Sequence, residues 1–223
     1  MTSVSLVGMT KPSAAIGCET ANQLVAYAAR VSNPSNQNNT YTAPKLLRYL
    51  VENQHWSPFE MVSITMEIKT TRDISRQIIR HRSFSFQEFS QRYAVSENFD
   101  IRECRFQDTK NRQNSVEIDP KNPVDREVAE MWRMKQIDLV KRSRHTYEWA
   151  LNNGIAKEQA RAVLPEGNTE TTLYMAGTLR SWIHYCDLRS AHGTQKEHQE
   201  IAVKCWDIIS QHFPDVAEAL EWL

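Results

Sequence analysis

Hydrophobic positions along the 223-residue chain follow two periods. Over 61–69 (MVSITMEIK), Val62, Ile64, Met66 and Ile68 alternate with Ser63, Thr65, Glu67 and Lys69. That period of two predicts a half-buried antiparallel strand. Most of the remainder follows the helical period. Leu24, Val25 and Ala28 share a face over 20–31, and Leu46, Leu47, Leu50 and Val51 form the stripe of a helix started by Thr42 and Pro44. Over 72–82, Ile74 and Ile78 sit one turn apart, as do Arg76 and Arg80, and Gln77 and His81. Asn122-Pro123 opens a long helix to 152, which Gly154 ends. Helical patterns are also predicted at 155–163 and 170–188. Another runs from a capping box, Thr194-Gln195-Lys196-Glu197, to 212, and Pro214 starts a last one. A further strand is predicted at 99–106, followed by a polar loop. The sum is an α+β fold: a small, mainly antiparallel sheet with several long helices, in a single domain spanning 1–223.

Composition narrows the function. The 27 Lys+Arg are balanced by 27 Asp+Glu, so the overall field is neutral and argues against a generic nucleic-acid binder. No apolar run approaches the roughly 20 residues of a bilayer span, and no basic segment precedes an apolar one at the N-terminus. No membrane association and a cytoplasmic location are expected. Cys18, Cys104, Cys186 and Cys205 are scattered singly and read as reduced thiols. The six glycines are not clustered, so any nucleotide must be held by side chains and helix ends.

Chemistry concentrates in 72–93, RDISRQIIRHRSFSFQEFSQRY. Its cations are Arg72, Arg76, Arg80, Arg82 and Arg92, with no lysine. Arginine alone favours planar, bidentate recognition of phosphate or carboxylate. Phe84, Phe86, Phe89 and Tyr93 alternate with hydroxyls at Ser83, Ser85 and Ser90. Aromatic faces beside arginine suit a flat heterocycle that carries a phosphate. On composition alone, a solvated basic helix end with core phenylalanines or a single-stranded nucleic-acid surface would read the same way.

The order of residues goes further. Arg80-His81-Arg82, seven residues and then Ser90 resembles the RHR-x7-S signature of flavin-dependent thymidylate synthases, with Gln87-Glu88 and Arg92-Tyr93 at the family's offsets. His55-Trp56-Ser57-Pro58-Phe59-Glu60 is similar to the family's H-x-(S/T)-P-F-E segment. Ala160-Arg161 with Leu164-Pro165 is similar to its A-R-x-x-L-P turn, and Arg180-Ser181, Leu188-Arg189 and Gln195-Lys196-Glu197 to its later elements. Least correspondence falls at 98–125.

The resemblance implies reductive methylation of dUMP to dTMP, with FAD as cofactor, methylenetetrahydrofolate as one-carbon donor and NADPH as reductant. It also implies a homotetramer with shared active sites. By similarity, Arg80, His81, Arg82 and Glu88 contact the flavin, with Ser57 reaching it from a neighbouring subunit. Thr178, Leu179, Arg180 and His184 match further flavin contacts, although many relatives carry asparagine near Thr178 and at His184. The dUMP side is implied to be Gln77, Ile78, Ile79 and Arg80, together with Glu88, Phe89, Ser90, Gln91, Arg92 and Arg161. Arg189 matches the arginine that meets the uracil and stabilises charge spread from N3 toward O4, and is the implied catalytic residue.

Rival chemistries are weaker. No Asp-His relay or G-x-S-x-G surrounds Ser90, and none of the four cysteines sits in a nucleophile motif. His192, Glu197 and His198 lack metal-ligand spacing, so no metal is expected.

Overall fold

The computed structural model describes residues 2–220. Strands β1 (Ser3–Met9) and β2 (Ser63–Thr71) flank two helices, α1 (Ala21–Ala29) and α2 (Ala43–Glu52). Thr20 caps α1, its hydroxyl accepting from Gln23 N at 3.2 Å. The stripe of α2 is buried at Leu47, Leu50 and Val51. Next come α3 (Arg72–Ile78), β3 (Ser85–Glu88), the short strands β4 (Arg105–Gln107) and β5 (Ser115–Glu117), and α4 (Pro123–Asn152). The remaining elements of the described residues are α5 (Lys157–Ala160), β6 (Glu170–Thr178), α6 (Leu179–Ser190), α7 (Lys196–His212) and α8 (Pro214–Leu220).

The four-stranded sheet runs β1-β2-β6-β3 and every pairing is antiparallel, while β4 and β5 form a separate pair. The alternation at 62–68 is the seed of the core. Ile64, Met66 and Ile68 are buried opposite Gly177, Met175 and Leu173 of β6. On that face lie Trp182 and Ile183 of α6 and Ile201, Cys205 and Ile209 of α7. Trp182 is fully buried, and its Nε1 donates to Ile64 O at 3.1 Å. The opposite face is more open, with Tyr174 Oη donating to Glu67 Oε2 at 3.0 Å.

The structure corrects four expectations. Residues 170–178 form a strand, and only 179–190 are helical. The helix of 72–82 stops at Ile78. The next bonds, Arg80 N to Gln77 O and His81 N to Ile78 O, tighten to the three-residue spacing that ends helices. The strand expected at 99–106 reduces to an isolated bridge, Phe99 with Thr169, and the three residues of β4. The capping box does not form: Gln195 occupies the cap of α7, and the Glu197 carboxylate is drawn instead to Arg105 and Arg102.

Two expectations at the ends of α4 hold. Asn122 caps it by accepting from Val124 N at 3.0 Å, and Gly154 follows its end at φ 77°, a left-handed conformation that suits glycine. This 30-residue helix buries Gln136, Ser143, Tyr147 and Ala150, and leaves Met131, Trp132, Leu139 and Trp149 exposed.

Candidate active site

Residues 80–84 turn between α3 and β3, and the packing of Phe84 sets their position. Its ring meets Trp182 edge-on at 4.9 Å and Tyr185 at 5.9 Å. The ring lies where Gly177 of β6 has no side chain, and a Cβ there would sit inside the van der Waals contact of Phe84. His81 packs edge-on against Tyr185 at 4.9 Å. Arg189, in the last turn of α6, donates from Nε to His81 Nε2 at 2.9 Å. Burial, reinforced by the Arg189 charge, pushes the His81 imidazole down to about 4. The ring is therefore a neutral acceptor at Nε2.

Arg80 and Arg82 are exposed and have no ion pair among the described residues. Two guanidinium groups without counter-charge, beside a neutral imidazole, are a donor set suited to phosphate oxygens. Of the glycines, Gly17, Gly154 and Gly193 have positive φ, and none lies within the 80–84 turn. A dinucleotide pyrophosphate would have to be met by side chains, so the residues fit FAD.

A cavity of about 290 Å³ opens beside α3, with Arg72, Arg76, Gln91, Glu158, Arg161 and Glu166 in its wall. Glu88 organises its inner side. Glu88 Oε1 accepts from Ser75 Oγ at 2.8 Å and Thr171 Oγ1 at 3.0 Å, and lies 3.6 Å from Arg72 Nη1. Glu88 Oε2 lies 3.6 Å from Arg76 Nη1. Arg161 makes no ion pair among the described residues, and its Nε donates to Glu158 O at 3.3 Å. Arg92 lies 3.4 Å from Glu158. The result is a pocket with more guanidinium than carboxylate charge at its mouth. Arg72 and Arg76 are functional candidates that the signature does not contain, and their helical spacing on α3 toward Glu88 was the available signal.

Other expected residues are committed differently. Ser90 Oγ accepts from Arg92 N at 3.3 Å, shaping the turn, and the buried Gln91 donates from Nε2 to Ser96 Oγ at 3.0 Å. Phe89 N donates to Thr172 O at 2.9 Å, extending the β3 pairing. Ile78 is fully buried, and Ile79 caps the end of α3. Leu179 is also fully buried, with its N–H given to Val62 O at 2.8 Å. Thr178 caps α6 by accepting from Ser181 N at 3.3 Å.

Ser57, Arg180 and His184 gather elsewhere. Ser57 is exposed at the start of the tight turn Ser57–Met61, Arg180 is ion-paired with Glu60, and His184 meets the Trp56 ring at 5.0 Å. Burial and then the Arg180 charge hold the His184 imidazole below its ordinary value. Thus α6 shows Ser181, Tyr185 and Arg189 to the 80–84 turn, and Arg180 and His184 to the Ser57 turn.

Among known families, the model described as thymidylate synthase complementing protein matches residues 16–215. A probable flavin-dependent thymidylate synthase of Paramecium bursaria Chlorella virus 1 is 49% identical over 222 residues, covering 99% of this chain and 100% of its own. A flavin-dependent thymidylate synthase of Synechocystis sp. is 48% identical over 221 residues, covering 98% and 99%. A UMP/dUMP methylase from Streptomyces cacaoi, solved bound with 5-Br dUMP, matches with a TM-score of 0.81 at 26% identity, covering 98% of this chain and 94% of that one.

Proposed function

The chain belongs to the flavin-dependent thymidylate synthase family, and we propose that it reductively methylates dUMP to dTMP, using FAD, methylenetetrahydrofolate and NADPH. When bound and reduced by NADPH, FAD supplies the hydride that completes the methyl group. Arg80, His81 and Arg82, with Ser57, Arg180 and His184, are the residues that would hold it.

The observation that carries the reading is the Arg189–His81 contact at the rim of the arginine turn. A neutral His81 fixes Arg189 through Nε and leaves both terminal nitrogens for a pyrimidine edge. Uracil C5 is a poor nucleophile in neutral dUMP. A guanidinium that stabilises negative charge from N3 to O4 enriches C5 for attack on the one-carbon unit. The cavity walled by Arg72, Arg76 and Arg161 supplies counter-charge for the phosphate, and Glu88 keeps two of these arginines in place.

In this reading the chain acts as one domain in a homotetramer with composite sites. The division of the α6 side chains between the Ser57 turn and the 80–84 turn supports this assembly, as does the exposed apolar surface of α4. No helix among the described residues is long and apolar enough to cross a membrane. The deciding assay is dTMP formation from dUMP, methylenetetrahydrofolate and NADPH, with and without FAD. A purified protein that is colourless, takes up no added FAD and forms no dTMP would refute the reading.

A further inference from the structure

Behind the arginine turn lies a polar chain, buried at His198 and half-buried beyond it, whose inner members the proposed chemistry leaves unused. His198, on α7, is fully buried. Its Nε2 lies 3.1 Å from Tyr185 Oη and its Nδ1 lies 3.4 Å from Gln77 Oε1. Gln77 Nε2 donates to Gln195 Oε1 at 2.7 Å, and Gln195 Nε2 donates to Glu197 Oε2 at 2.9 Å. Arg105 and Arg102 hold the other carboxylate oxygen of Glu197.

The carboxylate fixes every direction in this chain. Burial alone would raise the Glu197 carboxyl, but the Arg105 hydrogen bond, its own backbone N–H and the Arg102 charge bring it below its ordinary value. An ionised carboxylate only accepts. Gln195 must therefore turn its NH2 toward Glu197 and its carbonyl toward Gln77. Gln77 must then turn its NH2 toward Gln195 and its Oε1 toward His198. His198 consequently carries its proton on Nδ1, and its Nε2 accepts from the Tyr185 hydroxyl. Reversing any one member would set donor against donor or acceptor against acceptor within the chain.

We propose that His198 is a positioning residue for the nucleotide: by donating from Nδ1 to Gln77 Oε1, it anchors the carbonyl end of the Gln77 amide, whose direction Glu197 sets through Gln195, and so holds the plane of that amide against the substrate. The proposal rests on the reading of 77–80 as the dUMP side. Held this way, Gln77 keeps one N–H and one carbonyl lone pair uncommitted, each on a defined side. Without the His198 bond, only the Gln195 contact holds the amide, and its carbonyl end can swing away from the position it offers the substrate.

The test moves the nitrogen while keeping the side chain in the same pocket. His198→Asn sets an amide near the Nδ1 position, His198→Gln sets it near the Nε2 position, and His198→Phe keeps a ring without either nitrogen. FAD content is read from flavin absorbance, folding from thermal melts, dUMP affinity by calorimetry on the FAD-loaded enzyme, and KM and kcat from dTMP formation. One buried hydrogen bond corresponds to about tenfold in affinity, so His198→Gln and His198→Phe should raise the dUMP Kd about tenfold or more, while His198→Asn stays within about threefold of wild type. FAD content should not change, and adding Gln77→Ala to His198→Phe should weaken binding no further. Wild-type affinity in His198→Phe, or equal losses in the Asn and Gln variants, would make His198 a packing residue and overturn the proposal. If the Phe variant does not fold, the Asn–Gln comparison decides. A wild-type enzyme that takes up FAD but does not bind dUMP would instead overturn the functional reading.

Discussion

Arg189 reaches across 108 residues of sequence to donate its Nε proton to His81 Nε2 at 2.9 Å. Because a protonated imidazole has no acceptor, this contact exists only while His81 is neutral. It also fixes the plane of the guanidinium, since Nε lies in that plane. The arginine is thereby held from behind, through a bond that leaves its two terminal nitrogens free.

Replacing Arg189 should separate chemistry from cofactor binding. One charge-assisted hydrogen bond is worth about 1.5–3 kcal/mol, or about 10- to 150-fold in rate when expressed at the transition state. Arg189→Ala should keep FAD, accept electrons from NADPH and lose methylation by at least that order. Arg189→Lys should recover only part, because a point charge lacks the planar fork. The measurement is reoxidation of pre-reduced flavin on adding dUMP and methylenetetrahydrofolate. A wild-type rate and normal dTMP yield in the Ala variant would make Arg189 a helix-end cap.

Acid should destabilise the fold through two histidines. Burial, then the Arg189 charge, lowers His81 to about 4, and the same causes with His81 added lower His198 to about 3. In the unfolded chain both titrate near 6.5. Below that pH the unfolded state binds more protons, so this stability is fully present above about 6.5 and is lost progressively below it, the loss being complete once pH has fallen through about 4 for His81 and about 3 for His198. Each unit of depression amounts to about 1.4 kcal/mol. Thermal melts from pH 7.5 to 4.5 should show a falling midpoint, with a shallower slope in His198→Asn. An identical slope in that variant would assign the acid sensitivity to other groups.

Gly177→Ala should displace the 80–84 turn without touching any polar group. The added methyl collides with the Phe84 ring, which is already packed against Trp182 and Tyr185. Overpacking of this kind costs about 1–3 kcal/mol. We expect a lower melting temperature and reduced FAD content after purification. Full flavin loading with an unchanged melt would show that the ring moves aside freely.

Subunit mixing should discriminate composite from single-chain sites. Arg189 and Arg180 belong to different neighbourhoods on one chain, whereas Arg189 and Arg80 flank the same turn. Inactive Arg189→Ala and Arg180→Ala chains, unfolded and refolded together, should regain activity. The same experiment with Arg189→Ala and Arg80→Ala should not. No recovery in the first mixture would place each site within one chain.

Thiols should prove dispensable. Cys186 and Cys205 are fully buried, and burial raises both well out of the thiolate range. Replacing all four cysteines with alanine should preserve turnover per flavin-loaded molecule while lowering stability. Loss of turnover from a single replacement, with folding and flavin intact, would point to covalent thiol catalysis.

What the sequence revealed depended on how local each signal was. Strand β2 was legible because its outward positions carry Ser63, Glu67 and Lys69, which set off the buried Ile64, Met66 and Ile68. Strand β6 was not, because its outward positions are Thr172, Tyr174 and Ala176, and polarity barely alternates. Its end also runs straight into the cap of α6 at Thr178, so the two patterns merge. Glu197 fitted a capping box by spacing, yet Arg105, 92 residues away, captured its carboxylate. The arginine turn was visible from the order of its residues, whereas its support by Tyr185, Phe84 and Gly177 needed the tertiary fold.

Helix α6 borders two neighbourhoods, and in an assembly with composite sites those neighbourhoods belong to different active centres. Adjacent centres would then share a rigid body twelve residues long. Nucleotide that shifts Arg189 at one centre would move Arg180 and His184 at the next, and by thermodynamic reciprocity flavin bound at the second would alter nucleotide affinity at the first. Binding curves would then depart from a single hyperbola, and substitutions along α6 would change their steepness as well as their midpoint.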